Sequence, residues 1–184
     1  MGKLADSLDK AVEGAFTRPI PKSAGAQMRY LVKQLKGTKA VARILGVSQR
    51  TVERYVAGQL KRPRKELAAR LEREVKKRWQ PQVRKRAKRQ AATTDGIVID
   101  TRARFGYTAA PGTTDDARLR HLTQALPPQY AARLFEAQEG GATEQQLLDI
   151  AAEGLQEIYF KDRGRRAQGL LVEFTDVDYI DIEL

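Results

Sequence analysis

Apolar residues recur at steps of three or four through the first half of the chain: Leu4, Leu8, Val12 and Phe16, then Met28, Leu31, Val32 and Leu35. A period near 3.6 gathers each set on one stripe of a helix, so two amphipathic helices are predicted. Pro19 and Pro21 in "TRPIPK" separate them, and Gly37 ends the second. A longer helix is predicted after Pro63, with Leu67, Leu71, Val75 and Trp79 at every fourth position until Pro81 closes it. Its other faces carry Lys65, Arg70, Arg73, Lys77 and Arg78.

From Gln80 to Thr94 the chain reads "QPQVRKRAKRQAATT", a basic run thinning into small polar residues, which is the composition of a linker. Beyond it the period falls to two. "GIVIDTRARFGYT" sets Ile97, Ile99, Thr101, Ala103, Phe105 and Tyr107 against Asp100, Arg102 and Arg104, the pattern of a half-buried strand that can bend at Gly106. "RLRHL" has the character of a short second strand. Pro127 and Pro128 open a helix through Leu134 and Phe135 that Gly140 and Gly141 end. Thr143 with Gln146 fits a capping box before a helix carrying Leu147, Leu148, Ala151, Leu155, Ile158 and Tyr159. "GLLVEFTDVDYIDIEL" is β-type, with Tyr179, Asp181 and Glu183 alternating with Ile180, Ile182 and Leu184. The expected fold class is a mainly α N-terminal half followed by an α+β half with a small antiparallel sheet. The expected division is a helical domain over 1–79, a basic linker or helix extension over 80–95, and an α+β domain over 96–184.

The most specific local signal is "TKAVARILGVSQRTVERYV", residues 38–56. A helix-turn-helix needs a small residue where two helices nearly touch, a glycine in the turn, and apolar residues seating the second helix on the first. Ala42, Gly46, Val47 and Val52 match those needs, with Val41, Leu45 and Tyr55 completing the core face. Ser48 falls at the N-cap of the second helix. On that reading Ser48, Gln49, Arg50, Thr51 and Arg54 face DNA from the recognition helix. An ordinary αα-hairpin shares the alanine and glycine requirements.

Charge favours the DNA reading. Residues 1–90 hold 25 Lys or Arg and 7 Asp or Glu, a net +18, whereas residues 91–184 hold 9 and 16, a net −7. A split of this kind places a polyanion-binding module beside a domain with another task. Lys61, Arg62, Arg64, Arg84, Lys85, Arg86, Lys88 and Arg89 are expected to grip phosphates, supplying affinity rather than sequence information. There is no cysteine and His121 is the one histidine, which excludes disulfides, thiol nucleophiles, zinc knuckles and two-histidine metal sites. No stretch resembles a signal-peptide core or a membrane span, so a cytoplasmic location is expected.

"AAPGTTDDARLRH", residues 109–121, sets two threonines and two aspartates after a Pro-Gly turn. Two readings fit. Thr113 with Asp116 three residues on resembles a helix start. Alternatively the loop presents an exposed hydroxyl as an attachment point, with Asp115 and Asp116 polarising it or helping to hold Mg²⁺.

"AFTRPIPKSAGAQMRYLVKQLKGTKAVA", "LGVSQRTVERYV", "LAARLEREVKKRWQPQVR", "GIVIDTRARFGYTAAPGTTDDARLRHLT" and "AAEGLQEIYF" together make the chain similar, over nearly its whole length, to the telomere-protecting terminal proteins of streptomycete-type linear chromosomes and plasmids. The resemblance implies covalent attachment to the 5′ ends of a linear replicon, where such a protein primes the filling of the recessed end and then caps it. It puts nucleotide attachment on Thr114, with Thr113 the alternative if the register is off by one. It implies telomeric DNA, a telomere-associated protein holding the folded 3′ overhang, and a host DNA polymerase as partners, at the replicon ends in the nucleoid. No cofactor is expected to stay bound; Mg²⁺ and a deoxynucleoside triphosphate join during priming. The chain would then be a primer for a polymerase rather than an enzyme.

Two other classes compete. A helix-turn-helix transcriptional regulator would use the same module with the α+β half for dimerisation or effector binding. A DNA-processing enzyme lacks histidine-pair chemistry, and Tyr107, Tyr130, Tyr159 and Tyr179 fall in no recombinase or topoisomerase set. The alternating C-terminal segment is also expected to offer a strand edge for self-association.

Overall fold

The computed structural model describes residues 2–108, 118–160 and 171–184. Among these, eight helices and three strands follow in the order α1 (Lys3–Gly14), α2 (Ala24–Leu35), α3 (Thr38–Leu45), α4 (Gln49–Val56), α5 (Lys65–Arg78), α6 (Pro81–Gln90), β1 (Ile97–Thr108), β2 (Arg118–Leu126), α7 (Pro128–Glu139), α8 (Glu144–Leu155) and β3 (Leu171–Glu183). They form two units. One is Thr17–Pro81; the other joins Met1–Phe16 to Gln82–Leu184.

In the sheet unit the strands run antiparallel in the order β2-β1-β3. Alternation along β1 buries Ile97, Ile99, Thr101, Ala103 and Phe105. Leu122 and Leu126 of β2 and Val172, Phe174, Ile180 and Ile182 of β3 join them in one core, where the rings of Phe105 and Phe174 lie 4.8 Å apart. Helices α7 and α8 contribute Ala131, Leu134, Phe135, Leu147, Ala151 and Leu155. Pro128 opens α7, and the reciprocal Thr143–Gln146 box opens α8, both as the sequence predicts. Helix α8 stops at Leu155, four residues short of the predicted Tyr159, and passes into a wider π-type turn over Gln156–Phe160. The "RLRHL" stretch proves to be part of a nine-residue strand.

Helix α1 also packs into this core, beside α8 and β3, which corrects the expected 1–79 domain. Leu4, Leu8 and Val12 are fully buried among the sheet-unit residues. Periodicity announces that this stripe is buried but not which partner buries it. The contacts are specific: the Glu144 carboxylate accepts from the backbone N–H groups of Leu4 at 2.7 Å and Ala5 at 3.3 Å, capping α1 from the first residue of α8. The free edge of β3 is also engaged by this helix. Ile182 N–H donates to Ser7 Oγ at 2.7 Å, and Lys3 Nζ donates to the carbonyls of Val177 and Asp178. The edge expected to invite self-association therefore has part of its hydrogen-bonding capacity filled from within the chain.

Residues 80–95 do not form a separate linker. Residues 82–95 fold into the sheet unit as α6 and a π-type turn over Ala91–Asp95 that packs against α7, with Ala91 buried. Gly96 then turns the chain into β1 with φ 75° and ψ −152°, a region almost confined to glycine. A Cβ there would collide with the Leu126 carbonyl oxygen. Gly96→Ala is expected to destabilise the sheet unit by about 3 kcal/mol, read as a lower midpoint in urea unfolding.

The helical unit is built around α2, whose Met28 and Leu31 are fully buried with Val41, Leu45, Val52, Leu71 and Val75 of α3, α4 and α5. Ser23 caps α2 through Ala26 N–H. Helix α5 ends at Arg78, so Trp79 is not its next core residue; its ring packs on Tyr30 instead, with centroids 4.6 Å apart. The two ends of the unit are pinned together. The Gln80 side-chain oxygen accepts from Thr17 N–H and Oγ1, at 3.2 and 2.9 Å, while Gln80 Nε2 and Trp79 Nε1 donate to the Arg18 carbonyl. Gln80 adopts φ 45° to do so.

Candidate nucleic-acid interface

Helices α3 and α4 are joined by three residues, Gly46, Val47 and Ser48. Gly46 ends α3 in the left-handed region at φ 62°, and its absent Cβ leaves room for the Arg70 guanidinium, which such an atom would approach to 2.9 Å. Val41, Ala42, Leu45, Val52 and Tyr55 are all buried, as their assigned roles require. Ser48 is the N-cap of α4: its Oγ accepts from Thr51 N–H at 3.2 Å and pairs with Thr51 Oγ1 at 2.8 Å. From α2, Arg29 donates to the Val56 carbonyl at the end of α4.

This geometry sorts the predicted contact residues. The side chains of Arg50 and Arg54, one helical turn apart, are exposed and carry no hydrogen bond or ion pair among the described residues. Gln49 is exposed but donates to Glu53 Oε1 at 2.8 Å, to which Thr38 Oγ1 also donates. The hydroxyls of Ser48 and Thr51 are engaged with each other and with the cap. Lys61, Arg62 and Arg64 lie exposed between α4 and α5. The helical unit as a whole holds 18 Lys or Arg against 4 Asp or Glu, a net +14 over residues 17–81.

The basic helix α6 divides. Lys85, Arg86 and Arg89 are exposed. Arg84 and Lys88, four residues apart, face their own unit instead: Arg84 pairs with Asp9 at 3.4 Å and lies over the Phe16 ring, and Lys88 bonds Glu139 at 2.9 Å over the Phe135 ring. Both side chains are only 16% exposed. Their stems complete the packing of α6, so the expected phosphate grip does not extend to these two. Thr113, Thr114, Asp115 and Asp116 lie outside the described residues.

Sequence reasoning missed one polar cluster on the uncovered face of the sheet. Asp100 of β1 accepts from Thr123 Oγ1 at 2.6 Å on β2 and from the Tyr179 phenol at 3.1 Å on β3. His121 Nε2 lies 3.1 Å from Asp100 and 2.6 Å from the Tyr179 oxygen. Alternation shows that Asp100 faces outward, but only the register, which pairs it with Thr123 and places His121 and Tyr179 both opposite Arg102, reveals the grouping. The Thr123 hydrogen bond, with lesser help from Tyr179 and His121, holds the Asp100 carboxyl below its ordinary value. Burial and the neighbouring Asp100 push the Tyr179 phenol up, consistent with its donating to the Asp100 carboxylate. The cluster is a clamp across three strands.

A depressed carboxyl stabilises the fold above its unfolded value and loses that contribution as pH falls through its folded value. Asp100→Asn is therefore expected to be less stable than wild type at pH 7, with the gap narrowing below the ordinary aspartate value of 3.8. Urea midpoints of both proteins across that range check this.

Among the described residues no group of three or more His, Cys, Asp or Glu is placed to hold a metal ion, and no helix is long and apolar enough to cross a membrane. No family model, curated protein or solved structure matches the chain.

Proposed function

We propose that this chain is a terminal protein of a linear DNA replicon. In this reading α3 and α4 act as a helix-turn-helix near a DNA end, and Thr114 accepts the first nucleotide of protein-primed end synthesis. The observation that carries it is the pair Arg50 and Arg54, whose side chains are exposed and unpartnered among the described residues on a capped helix of a unit with net charge +14. Arginine at such a position can form a bidentate pair with a guanine edge or grip a phosphate. The resemblance of "PGTTDD" and its surroundings to terminal proteins supports the priming part.

In the priming step the Thr114 hydroxyl oxygen attacks the α-phosphorus of a deoxynucleoside triphosphate. A threonyl phosphoester forms, pyrophosphate leaves, and the hydroxyl proton passes to a base in the polymerase complex. Asp115 and Asp116 polarise the hydroxyl. Tethering the hydroxyl to a protein already bound at the DNA end turns a bimolecular encounter into an effectively intramolecular one. The finished bond leaves no free 5′ phosphate for nucleases.

Peptide mass spectrometry on protein recovered from nuclease-treated cellular DNA tests the proposal. A nucleotide monophosphate on Thr114 is the expected result. Thr114→Ala is expected to bind DNA with unchanged affinity and to accept no nucleotide. A DNA-bound population whose "PGTTDD" peptide is wholly unmodified would instead make the chain a helix-turn-helix transcriptional regulator.

A further inference from the structure

Away from α4, the helical unit carries a groove of about 240 Å³ lined by Arg18, Tyr30, Lys33, Gln34, Trp79 and Gln80. Its floor is the tilted Tyr30–Trp79 ring pair. Both rings are anchored at their polar tips: Trp79 Nε1 donates to the Arg18 carbonyl at 3.0 Å, and the Tyr30 hydroxyl donates to the Arg78 carbonyl. A ring held in this way loses little further freedom when something stacks on it. Gln80 is occupied by its bonds to Thr17 and Arg18 and serves as a wall. The side chains of Arg18, Lys33 and Gln34 are exposed and have no hydrogen bond or ion pair among the described residues.

We propose that this groove binds one unpaired nucleotide of a single-stranded DNA segment, the base stacking on the Trp79 ring with the tilted Tyr30 ring beside it, Arg18 and Lys33 holding the flanking phosphates, and Gln34 reaching the base edge. Charge complementarity selects this occupant: two free cations border an aromatic floor in a unit of net +14, so the ligand is anionic and has a flat apolar face. The volume falls below the about 300–1,000 Å³ of sites that enclose drug-sized ligands and suits a single base. The proposal rests on the DNA-binding reading above and adds a strand-sensing site to it, separate in chemistry from a helix that reads duplex.

Trp79 is the one tryptophan of the chain, so its emission reports on the groove directly. In the full-length protein, short oligothymidylate is expected to quench that emission, and the quenching weakens with added salt. Arg18→Ala and Lys33→Ala, both at exposed positions, are each expected to raise the oligothymidylate concentration at half-quenching about tenfold. Oligoglutamate, which offers charge without a flat face, is expected to leave the emission unchanged. Equal quenching by oligoglutamate would make the groove an acidic-peptide site and overturn the proposal. A labelled blunt duplex, followed by anisotropy in the same samples, separates the two levels. Duplex binding with Trp79 silent toward oligothymidylate overturns the groove alone, whereas loss of both signals overturns the DNA-binding reading with it.

Discussion

A chain lacking residues 1–16 is expected to lose the fold of the sheet unit while residues 17–81 keep theirs. Leu4, Leu8 and Val12 are fully buried against the sheet unit. Removing a buried leucine typically costs about 2–5 kcal/mol. Losing all three side chains together approaches the whole of a domain's margin, about 5–15 kcal/mol. The deletion also strips Ser7 and Lys3 from the β3 edge and leaves the Glu144 carboxylate without the amides it caps. Limited proteolysis should then yield a protected fragment near 17–81 and rapid degradation of the remainder. A protease-resistant 82–184 would show that α1 is dispensable. The milder pair Leu4→Ala and Leu8→Ala in the full chain should lower the thermal midpoint of the sheet unit without moving Trp79 emission, because Trp79 belongs to the other unit.

Replacing Arg50 should weaken binding to the preferred duplex by about 1–3 kcal/mol and relax discrimination at one base position, the signature of a residue that reads a base edge. Replacing Lys61, Arg62 and Arg64 together should do something different: affinity falls for every sequence alike, and the slope of log affinity against log salt becomes shallower by about 0.9 for each phosphate that is no longer neutralised. Arg84→Ala and Lys88→Ala form a third class, because their charges are already committed to Asp9 and Glu139. They should lower the stability of the sheet unit and leave the salt slope unchanged. Fluorescence anisotropy on preferred and scrambled duplexes at several salt concentrations distinguishes the three. A salt slope that drops equally for Arg84→Ala and Lys61→Ala would contradict the sorting by burial.

What the sequence makes legible follows from how local each signal is. Helix stripes, the Ser48 and Thr143 caps, the proline at the start of α7 and the alternation of β1 depend on neighbours within a turn or a strand and appear where the pattern puts them, although the stripes overrun their helices at Trp79 and Tyr159 and the alternation of β3 breaks between Thr175 and Asp178. The exposure of Arg50 and Arg54 is readable for the same reason. The partner of α1 is not, because the hydrogen bond between Ser7 and Ile182 spans 175 positions and no local period encodes it. Nor is the different fate of Arg84 and Lys88: "RKRAKR" looks uniformly solvated until the helix is laid on Asp9, Phe16, Phe135 and Glu139. The Asp100 clamp needs the register of three strands at once.

The pin between Thr17 and Gln80 bears on the order in which the molecule assembles. During synthesis α1 emerges before the helical unit and β3, which it contacts, only after it, so the sheet unit cannot close until β3 is out. The helical unit has everything it needs once residue 81 is out. As it folds, the Thr17–Gln80 hydrogen bonds draw its two ends together and convert the flexible excursion over residues 17–81 into a short staple. That staple shortens the loop α1 must close to reach β3 from the 175 positions between Ser7 and Ile182 by the length of the inserted unit, which lowers the closure cost by about 0.4 kcal/mol. The inserted helical unit is therefore a light entropic load on the domain that flanks it.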